Sequence, residues 1–433
     1  MNMYLALVLF ALTYVLILSF SKYRTYIALG SGIIFLLTGM LSFNENLFFK
    51  VGENGSVIDF NVLLMIAGSM GLVQLFIDSK MPDLLAEILI KKVKNVQMAA
   101  VALALFAGII SAFVDNVAPV LMIAPVALQI CKKLNTNPVP FIIGIAVSSN
   151  LQGAATLVGD TTAIMLGGEA NMTFADFFWY QGKPSIFFAV ELGAIVSAII
   201  LAFIFRKEKQ PIPPQEGKTK VTDYVPTVLL IAMLGLLIGA SFLSQTVELP
   251  EVTNGLICCS LLVIGLIYNF IKNKTLESVL GPLKAIDLET LGLLLGLFLM
   301  IGGISEQGVI DAAANLLQQL GGGNEFLLFT VIVWFSVIIS AFIDNIPYVA
   351  TMLPIITSLG LNPTLMYFGL LSGATLGGNI TPIGASANIT GTAILRREGY
   401  EVKNKDFFRI GIPFTLAAVV SAYVYLWIFY GVL

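Results

Sequence analysis

Histidine is absent from this 433-residue chain, and cysteine and charged side chains are scarce. Without imidazole, no histidine can serve as metal ligand, catalytic base or proton relay, so any proton chemistry must use carboxylates. The three cysteines, Cys131, Cys258 and Cys259, have neither the number nor the spacing of a disulfide framework or a metal site, and we expect them to pack in the interior. Charged residues make up 11% of the chain and hydrophobic residues 58%, which excludes an ordinary soluble domain.

Apolar runs near or above 18 residues recur along the whole length, and each is long enough to cross the ~30 Å hydrocarbon layer as a helix. The run at 3–20 lacks a basic leader and a small-residue cleavage site, so we expect a retained span. We predict an all-α polytopic membrane protein without a separate soluble domain. Its ten spans are expected at about 3–20, 27–41, 58–76, 138–166, 184–205, 226–244, 255–271, 288–304, 364–395 and 409–431.

Two further apolar segments, 97–131 and 326–358, are too long for a single span and are interrupted by Pro119 and Pro347. At their centres they carry nearly the same motif, SAFVDN at 111–116 and SAFIDN at 340–345. Each segment is predicted to be either a pair of crossing helices or a re-entrant hairpin, because broken backbone at membrane depth needs protein or a watery cavity around it.

Lysine and arginine indicate the topology, because short cytoplasmic loops retain positive charge. If both odd segments are re-entrant and the N-terminus is outside, 21 of the 23 basic residues fall on the inside, and only Lys50 and Lys183 fall outside. The sequence therefore predicts both termini outside the plasma (inner) membrane and a cytoplasmic linker at 207–225. Crossing helix pairs would give the same sidedness, so the charges leave re-entrance open.

The two halves repeat. Adding 229 carries Ser111, Asp115, Asn116, Pro125 and Asn150 onto Ser340, Asp344, Asn345, Pro354 and Asn379, and adding 230 carries Thr162 and the DFF at 176–178 onto Thr392 and the DFF at 406–408. We interpret residues 1–206 and 226–433 as copies of one unit. Because five spans per copy is an odd number, the second copy is expected upside down. Inverted repeats with interrupted helices are typical of secondary transporters, whose site lies near mid-membrane between the halves.

A second interruption lies in each half, SSNLQGAATLVGDTT at 148–162 within the predicted broken span 138–166, and GGNITPIGASANITG at 377–391 within 364–395. Glycine, serine, threonine and asparagine are poor helix formers. Such loops leave carbonyls unpaired and supply the oxygen ligands that small hard cations prefer. Close helix packing through small residues is the alternative interpretation.

Four motifs, SAFVDNVAPVLMIAPV, SNLQGAATLVGD, SAFIDNIPYVATMLPI and GGNITPIGASANITGTAI, are similar to those of the ion transporter superfamily, in its branch of ArsB/NhaD-type permeases that includes the P protein. The resemblance implies a homodimer of protomers with two inverted repeats, each with a re-entrant hairpin and a broken span. Related members are thought to move this unit like an elevator against a dimerising scaffold.

On this resemblance, the hairpin tips are Asp115-Asn116-Val117 and Asp344-Asn345-Ile346. Sodium/dicarboxylate relatives have Ser-Asn-Thr at the tips. In this chain Asp replaces the Ser and an aliphatic residue replaces the Thr, and this difference argues against a dicarboxylate substrate. The wider family often shows Pro-Pro-Asn after the first broken loop, where this chain has Thr161, Thr162 and Ala163.

The acidic tips are the main candidate site. A carboxylate near mid-bilayer costs on the order of 2.5–3.5 kcal/mol, so a matched pair points to function, although each Asp could instead cap a helix. Asp160 could be a third functional carboxylate or a cap, and Glu191 a proton-path residue or a polar helix contact. The candidate ion- or substrate-binding residues are Asp115, Asn116, Asn150, Thr156, Asp160, Asp344, Asn345, Asn379, Thr381, Ser386 and Asn388, with Na⁺ placed at Asp115, Asn116, Asp344 and Asn345.

The leading hypothesis is a Na⁺/H⁺ antiporter, with Na⁺ and H⁺ as coupling ions and no other cofactor. The expected partners are the lipid bilayer, a small ion or solute and a second copy of the chain, but no nucleic acid. The alternative within the class is coupled transport of arsenite, antimonite or an anion, since ITPIG at 381–385 resembles the arsenite pumps. An intramembrane aspartyl protease is disfavoured, because the Tyr-Asp and Gly-x-Gly-Asp context is missing. A channel is left open.

Overall fold

The computed structural model describes residues 2–48, 56–212, 219–221 and 223–433, and these are mostly helical. Lys50, Lys218 and part of the predicted linker 207–225 lie outside the described residues. The first half contains α1 (Asn2–Ser19), α2 (Arg24–Leu37), α3 (Phe60–Asp78), α4 (Met81–Lys91), α5 (Val96–Ser111), α6 (Val117–Leu134), α7 (Val139–Gly153), α8 (Thr161–Glu169) and α9 (Ile186–Ile204). A two-stranded antiparallel hairpin, Trp179–Tyr180 with Lys183–Pro184, precedes α9.

The second half repeats this order of elements and adds one short helix. It contains α10 (Val225–Leu243), α11 (Thr253–Asn273), α12 (Glu277–Lys284), α13 (Leu288–Glu306), α14 (Val309–Gly321), α15 (Glu325–Ser340), α16 (Asn345–Thr357), α17 (Pro363–Gly377), α18 (Ser386–Arg397) and α19 (Asn404–Leu426). A π-helical turn, Trp427–Val432, extends α19.

Among the described residues, seven helices are long and apolar enough to cross a membrane: α3, α6, α9, α10, α11, α13 and α19 with its extension. Six of them match predicted spans, which confirms a polytopic membrane protein. The spans predicted at 3–20 and 27–41 appear as the shorter helices α1 and α2. The spans predicted at 138–166 and 364–395 are indeed broken, each into two helices.

The two odd segments are helix pairs, α5 with α6 and α15 with α16. The breaks lie at the Asp-Asn tips. Pro119 and Pro347 lie in the first turn of the second helix of each pair, where a missing N–H costs little. Because α6 alone is long enough to cross a membrane, re-entrance of the first hairpin stays a prediction.

Three helices were not predicted, α4, α12 and α14. They have 11, 8 and 13 residues and carry charged or amide side chains. A search for long apolar runs cannot find such segments. α14 and α15 together are long and apolar enough for one span, but the chain bends by 116° at the break between them.

The helices pack in two groups, each mainly within itself. We call α1, α2, α3, α10, α11 and α13 the framework, and α5–α9 with α15–α19 the carrier unit. In the framework α2 packs on α13 and α3 on α11, while in the carrier unit α9 packs on α19, α5 on α7 and α15 on α17. Exchanging the halves interchanges these pairs, a two-fold relation that supports the predicted repeat. Its inverted orientation in a membrane stays a prediction.

Glycines permit the closest crossings of the framework. A Cβ atom on Gly296 would lie 2.4 Å from the carbonyl carbon of Ala28, and one on Gly68 would lie 2.5 Å from that of Cys258. These are the matching crossings of α13 with α2 and of α3 with α11. Small residues at helix crossings let backbones approach and pack by van der Waals contact, the main attraction between helices in lipid.

We predict that Gly296→Ala destabilises the protein by about 1–3 kcal/mol, the usual cost of overpacking, because backbone of Ala28 and Leu29 cannot rotate away from the new methyl group. Thermal unfolding of purified protein in detergent measures this. The matched control is Gly235→Ala on α10, where nothing lies within 4 Å of the new Cβ; it should keep or raise the unfolding midpoint. Equal midpoints for the two variants would contradict the proposed close crossing.

Candidate functional site

The two broken spans meet at the centre of the protein. Every residue of α17 from Thr364 to Gly377 is buried, and α7 is buried almost throughout. The Asn150 side-chain nitrogen donates to the Thr375 carbonyl at 2.7 Å and to Asn379 Oδ1 at 3.1 Å. In return, Asn379 Nδ2 donates to the Val147 carbonyl at 3.0 Å. Two predicted site residues therefore join the halves by side-chain to backbone hydrogen bonds.

The loops that follow these helices pack on the hairpin tips. Thr156 Oγ1 donates to the Ala112 carbonyl, and Thr381 Oγ1 donates to the Ala341 carbonyl. A Cβ atom on Gly159 would lie 2.5 Å from the Gly153 carbonyl oxygen, so only glycine fits there without displacing backbone. Backbone carbonyls thus converge between each tip and the loop beside it, which supplies oxygen ligands at membrane depth.

Equivalent contacts give the true correspondence of the halves in this region. Thr156 matches Thr381, an offset of 225, while the tips keep the offset of 229. The offsets of 229 and 230 used for the broken spans were therefore wrong, and Asn150 matches Thr375 instead of Asn379. The physical reason is that α16 has 13 residues where α6 has 18. One consequence is that Asp160 matches Ala385, so this carboxylate belongs to the first half alone.

Both tip aspartates bind backbone at the start of the following helix. Asp115 Oδ2 accepts the N–H of Val117 at 3.2 Å, and Asp344 Oδ1 accepts that of Ile346 at 3.1 Å. The predicted capping role is therefore present. Both residues are of intermediate exposure, and capping does not exclude a further role.

Both tip asparagines are buried, and Asn116 contacts the central crossing. Asn116 Nδ2 donates to Asn150 Oδ1 at 3.1 Å, and the Asn116 carbonyl accepts the Ser149 hydroxyl at 2.6 Å. Asn345 is 5% exposed at the start of α16. The first tip is thereby tied directly to the crossing of the broken helices.

Asp160 stands at the N-cap position of α8 without a capping hydrogen bond from its side chain. Its Oδ2 instead accepts the Thr162 hydroxyl at 3.0 Å, and Thr162 also contacts the hydroxyl of Thr375 at 3.0 Å. Asp160 is 5% exposed. A Cβ atom on the preceding Gly159 would lie 2.8 Å from the carbonyl oxygens of Ser111 and Ala112, so the loop that carries Asp160 packs directly on the first hairpin tip.

The remaining candidates differ in their surroundings. Asn388 Nδ2 donates to the carbonyls of Gly378 and Thr381 and holds the second loop, while its Oδ1 is buried with no partner among the described residues. Ser386 begins α18 and is half-buried. Glu191 lies on α9, and the described residues offer it no hydrogen bond or ion pair; the structure does not join it to the acidic cluster.

Arg24 is the site residue that the sequence did not reveal. It is the first residue of α2, and its guanidinium pairs with Asp344 Oδ2, with both side chains about one quarter exposed (24% and 25%). Because α2 starts three residues before the predicted span 27–41, Arg24 was counted among the loop residues that set topology. Nothing local in the sequence links it to a residue 320 positions away.

A cavity of about 610 Å³ lies between the framework and the carrier unit. Asp59 and Asn61 line it from the start of α3, and Glu169 and Pro354 from the ends of α8 and α16. By the predicted topology this is the outer face, while Arg24 lies at the inner face. Within the described part of the chain, no three Cys, Asp or Glu side chains form a metal cluster.

We predict that Asn150→Asp destabilises the protein strongly, because its NH₂ group donates to two acceptors that a carboxylate would repel. Loss of each buried bond costs on the order of 1–3 kcal/mol. Thermal unfolding in detergent, together with yield of folded protein, measures the effect. The control is Asn171→Asp, at an exposed residue with φ of 52°, a conformation that aspartate also tolerates. If both variants unfold with the wild type, the crossing does not depend on Asn150.

Comparison with known proteins places this architecture among transporters. Similar proteins include an uncharacterised transporter of Mycobacterium tuberculosis, 30% identical over 435 residues that cover 99% of both chains. The P protein of Sus scrofa is 25% identical over 461 residues, which cover 85% of this chain and 53% of the P protein. These relatives point to a transporter and away from an enzyme.

Solved structures with the same fold are those of the YdaH transporter of Alcanivorax borkumensis and of MtrF of Neisseria gonorrhoeae, which represents a class of antimetabolite efflux pumps. Their TM-scores are 0.58 and 0.55, each at 15% identity and with about 85% of this chain covered (85% and 86%) and 85% and 81% of the other. The model of the CitMHS family, described as citrate transporter, matches residues 14–367 and 259–433. The resemblance seen in the sequence motifs is thus confirmed, and the chain belongs to the CitMHS family of membrane transporters within the ion transporter superfamily.

Proposed function

We propose that the chain is a cation-coupled secondary transporter that exchanges Na⁺ for H⁺ across the plasma membrane by alternating access. The observation that carries this proposal is the position of Asp115 and Asp344 at the two hairpin tips and of Asp160 in the broken loop that packs on the first tip, beside the crossing of the broken helices. Three carboxylates within the membrane-spanning part are costly, on the order of 2.5–3.5 kcal/mol each. A protein keeps such costly charges where they have a function.

Competition between proton and cation follows from the chemistry of such a site. A carboxylate surrounded by other carboxylates and apolar helix favours neutralisation, either by a proton or by a bound cation. Amide and carbonyl oxygens from Asn116 and the loops would complete the coordination of a small hard cation. Because the carboxylates can balance only a limited positive charge, binding of Na⁺ from one side of the membrane would release H⁺. This release is the exchange step.

Alternating access is proposed to be an elevator movement of the carrier unit against the framework. The packing of each group mainly within itself supports this, as does the cavity of about 610 Å³ between α3 and the ends of α8 and α16. A homodimer through the framework and both termini outside belong to the same proposal and follow from the family resemblance and the basic residues.

A second candidate is coupled uptake or efflux of an anion, because the Arg24 guanidinium stands at the second tip and the matching family model is described as a citrate transporter. Arginine recognises carboxylate and oxyanion groups through its fork of N–H donors. On this candidate the substrate would displace Asp344 from Arg24. Arsenite and antimonite are further possible substrates under this second candidate.

We predict that Asp115→Asn and Asp160→Asn each lower the rate of Na⁺-driven H⁺ movement in proteoliposomes at least ~tenfold, since an amide can neither hold a proton nor balance a cation. A pH-sensitive dye inside the vesicles measures the rate. The control is Asp406→Asn, an exposed carboxylate in the first turn of α19, which should transport like the wild type. Exchange that persists unchanged in both site variants would contradict the assignment of these residues.

The anion candidate is tested in the same vesicles with labelled citrate or arsenite under a Na⁺ or H⁺ gradient. Gradient-dependent accumulation of either solute, without Na⁺/H⁺ exchange in its absence, would favour the second candidate. Exchange in solute-free vesicles, with no accumulation, favours antiport.

A further inference from the structure

Two framework helices present opposite charges to the two hairpin tips. α2 and α13 begin side by side, because Thr25 Oγ1 donates to the Glu289 carbonyl at 2.9 Å. At this shared end α2 carries Arg24 and α13 is preceded by its capping residue Asp287. Arg24 pairs with Asp344, whereas Asp287 lies close enough to Asp115 to repel it. The pseudo-symmetric tips therefore meet unlike partners.

The carboxylate of the second tip is fully engaged by protein donors. Asp344 Oδ1 accepts the Ile346 N–H, and Oδ2 pairs with Arg24. The carboxylate of the first tip accepts backbone N–H groups at the start of α6, such as that of Val117, and forms no ion pair within the described part of the chain. A cation or proton can therefore take Asp344 only if Arg24 is released, while Asp115 is available without that step.

The same framework segment holds the second hairpin at another point. Tyr14 on α1 donates to the Pro347 carbonyl at 2.6 Å and also contacts the Thr351 hydroxyl. Both residues lie on α16, the helix that Asp344 caps. The α1–α2 pair thus contacts the second hairpin through an ion pair and a neutral hydrogen bond, of which only the ion pair responds to the charge of Asp344.

We infer that Arg24 is a coupling residue: it holds the unloaded second hairpin against the framework and releases it when Asp344 is neutralised. The inference rests on the proposed function for the identity of the neutralising ion, Na⁺ or H⁺. It also meets a requirement of coupled exchange. A carrier with an empty site must not move, because its movement would dissipate the gradient; an ion pair formed only when the site is empty prevents this.

The ion pair is not enclosed by protein, which permits exchange of partners. Both side chains are about one quarter exposed (24% and 25%), so an arriving cation can replace the guanidinium without passing through packed protein. Partial exposure also keeps the pair weak enough to open, since exposed pairs contribute little compared with buried ones. Arg24 acts through Asp344 and is a positioning residue.

The test measures hydrogen–deuterium exchange of the tips in full-length protein without added Na⁺. Arg24→Gln is expected to speed exchange of the amides at 342–346 at least ~tenfold, and to leave the first tip, 113–117, unchanged. Asp344→Asn should have the same effect, because it mimics the neutralised state. Arg24→Lys, which keeps the charge, should restore slow exchange. The control is Lys22→Gln, an exposed basic residue two positions away, which should match the wild type.

A second arm uses Na⁺ as the probe, with thermal stabilisation of the same purified variants as readout. In the wild type, Na⁺ should speed exchange at 342–346 as Arg24→Gln does, and the Na⁺ concentration for half-maximal stabilisation should fall about tenfold in Arg24→Gln, since the ion no longer competes with the guanidinium.

Unchanged exchange at the second tip in Arg24→Gln and Asp344→Asn would overturn the inference, even if Na⁺ stabilises the wild type and the proposed antiport stands. Faster exchange in both variants, with no effect of Na⁺ on any of them, would support the role of Arg24 and count against Na⁺ as the transported ion. A general loosening of both tips in Arg24→Gln would show a merely structural role and would also overturn the inference.

Discussion

The requirement that buried backbone groups find partners inside the protein governs this fold. Breaking α7 and α17 at membrane depth frees carbonyl and N–H groups that lipid cannot satisfy. Asn150, Asn379 and Asn388 satisfy several of them by donating from side chains to main-chain carbonyls. The threonines at 156 and 381 do the same for the hairpin turns. The polar residues that make the breaks possible are thus the ones that surround the acidic tips.

This arrangement separates a rigid crossing from more exposed acidic tips. Asn150 and Asn379 hold the halves together and are 0% exposed. The tip aspartates, in contrast, remain partly accessible. Framework helices cross closely at glycines such as Gly296, so the framework is a tightly packed group of helices. The structural role and the proposed functional role therefore fall on different residues.

The sequence was sufficient for features that depend on local composition. The long spans, both helix pairs and both broken helices were predicted from apolar runs and from polar interruptions, and the acidic tips were located at Asp115 and Asp344. The short helices α4, α12 and α14 escaped because they are too short and polar for a span search. The contact of Arg24 with Asp344 and the 225-residue offset of the loops depend on how distant segments pack, which one sequence without related sequences does not reveal.

The candidate site contains residues that differ between the two halves. A duplicated unit supplies two tips and two loops, but Asp160 matches Ala385, and Arg24 faces one tip while Asp287 faces the other. The first half therefore collects negative charge, and the second neutralises its own. Under the proposed function, such a site binds positive charge mainly on the side of the first half. Under the proposed role of Arg24, the ion pair of the second half then links the charge of Asp344 to the α1–α2 pair.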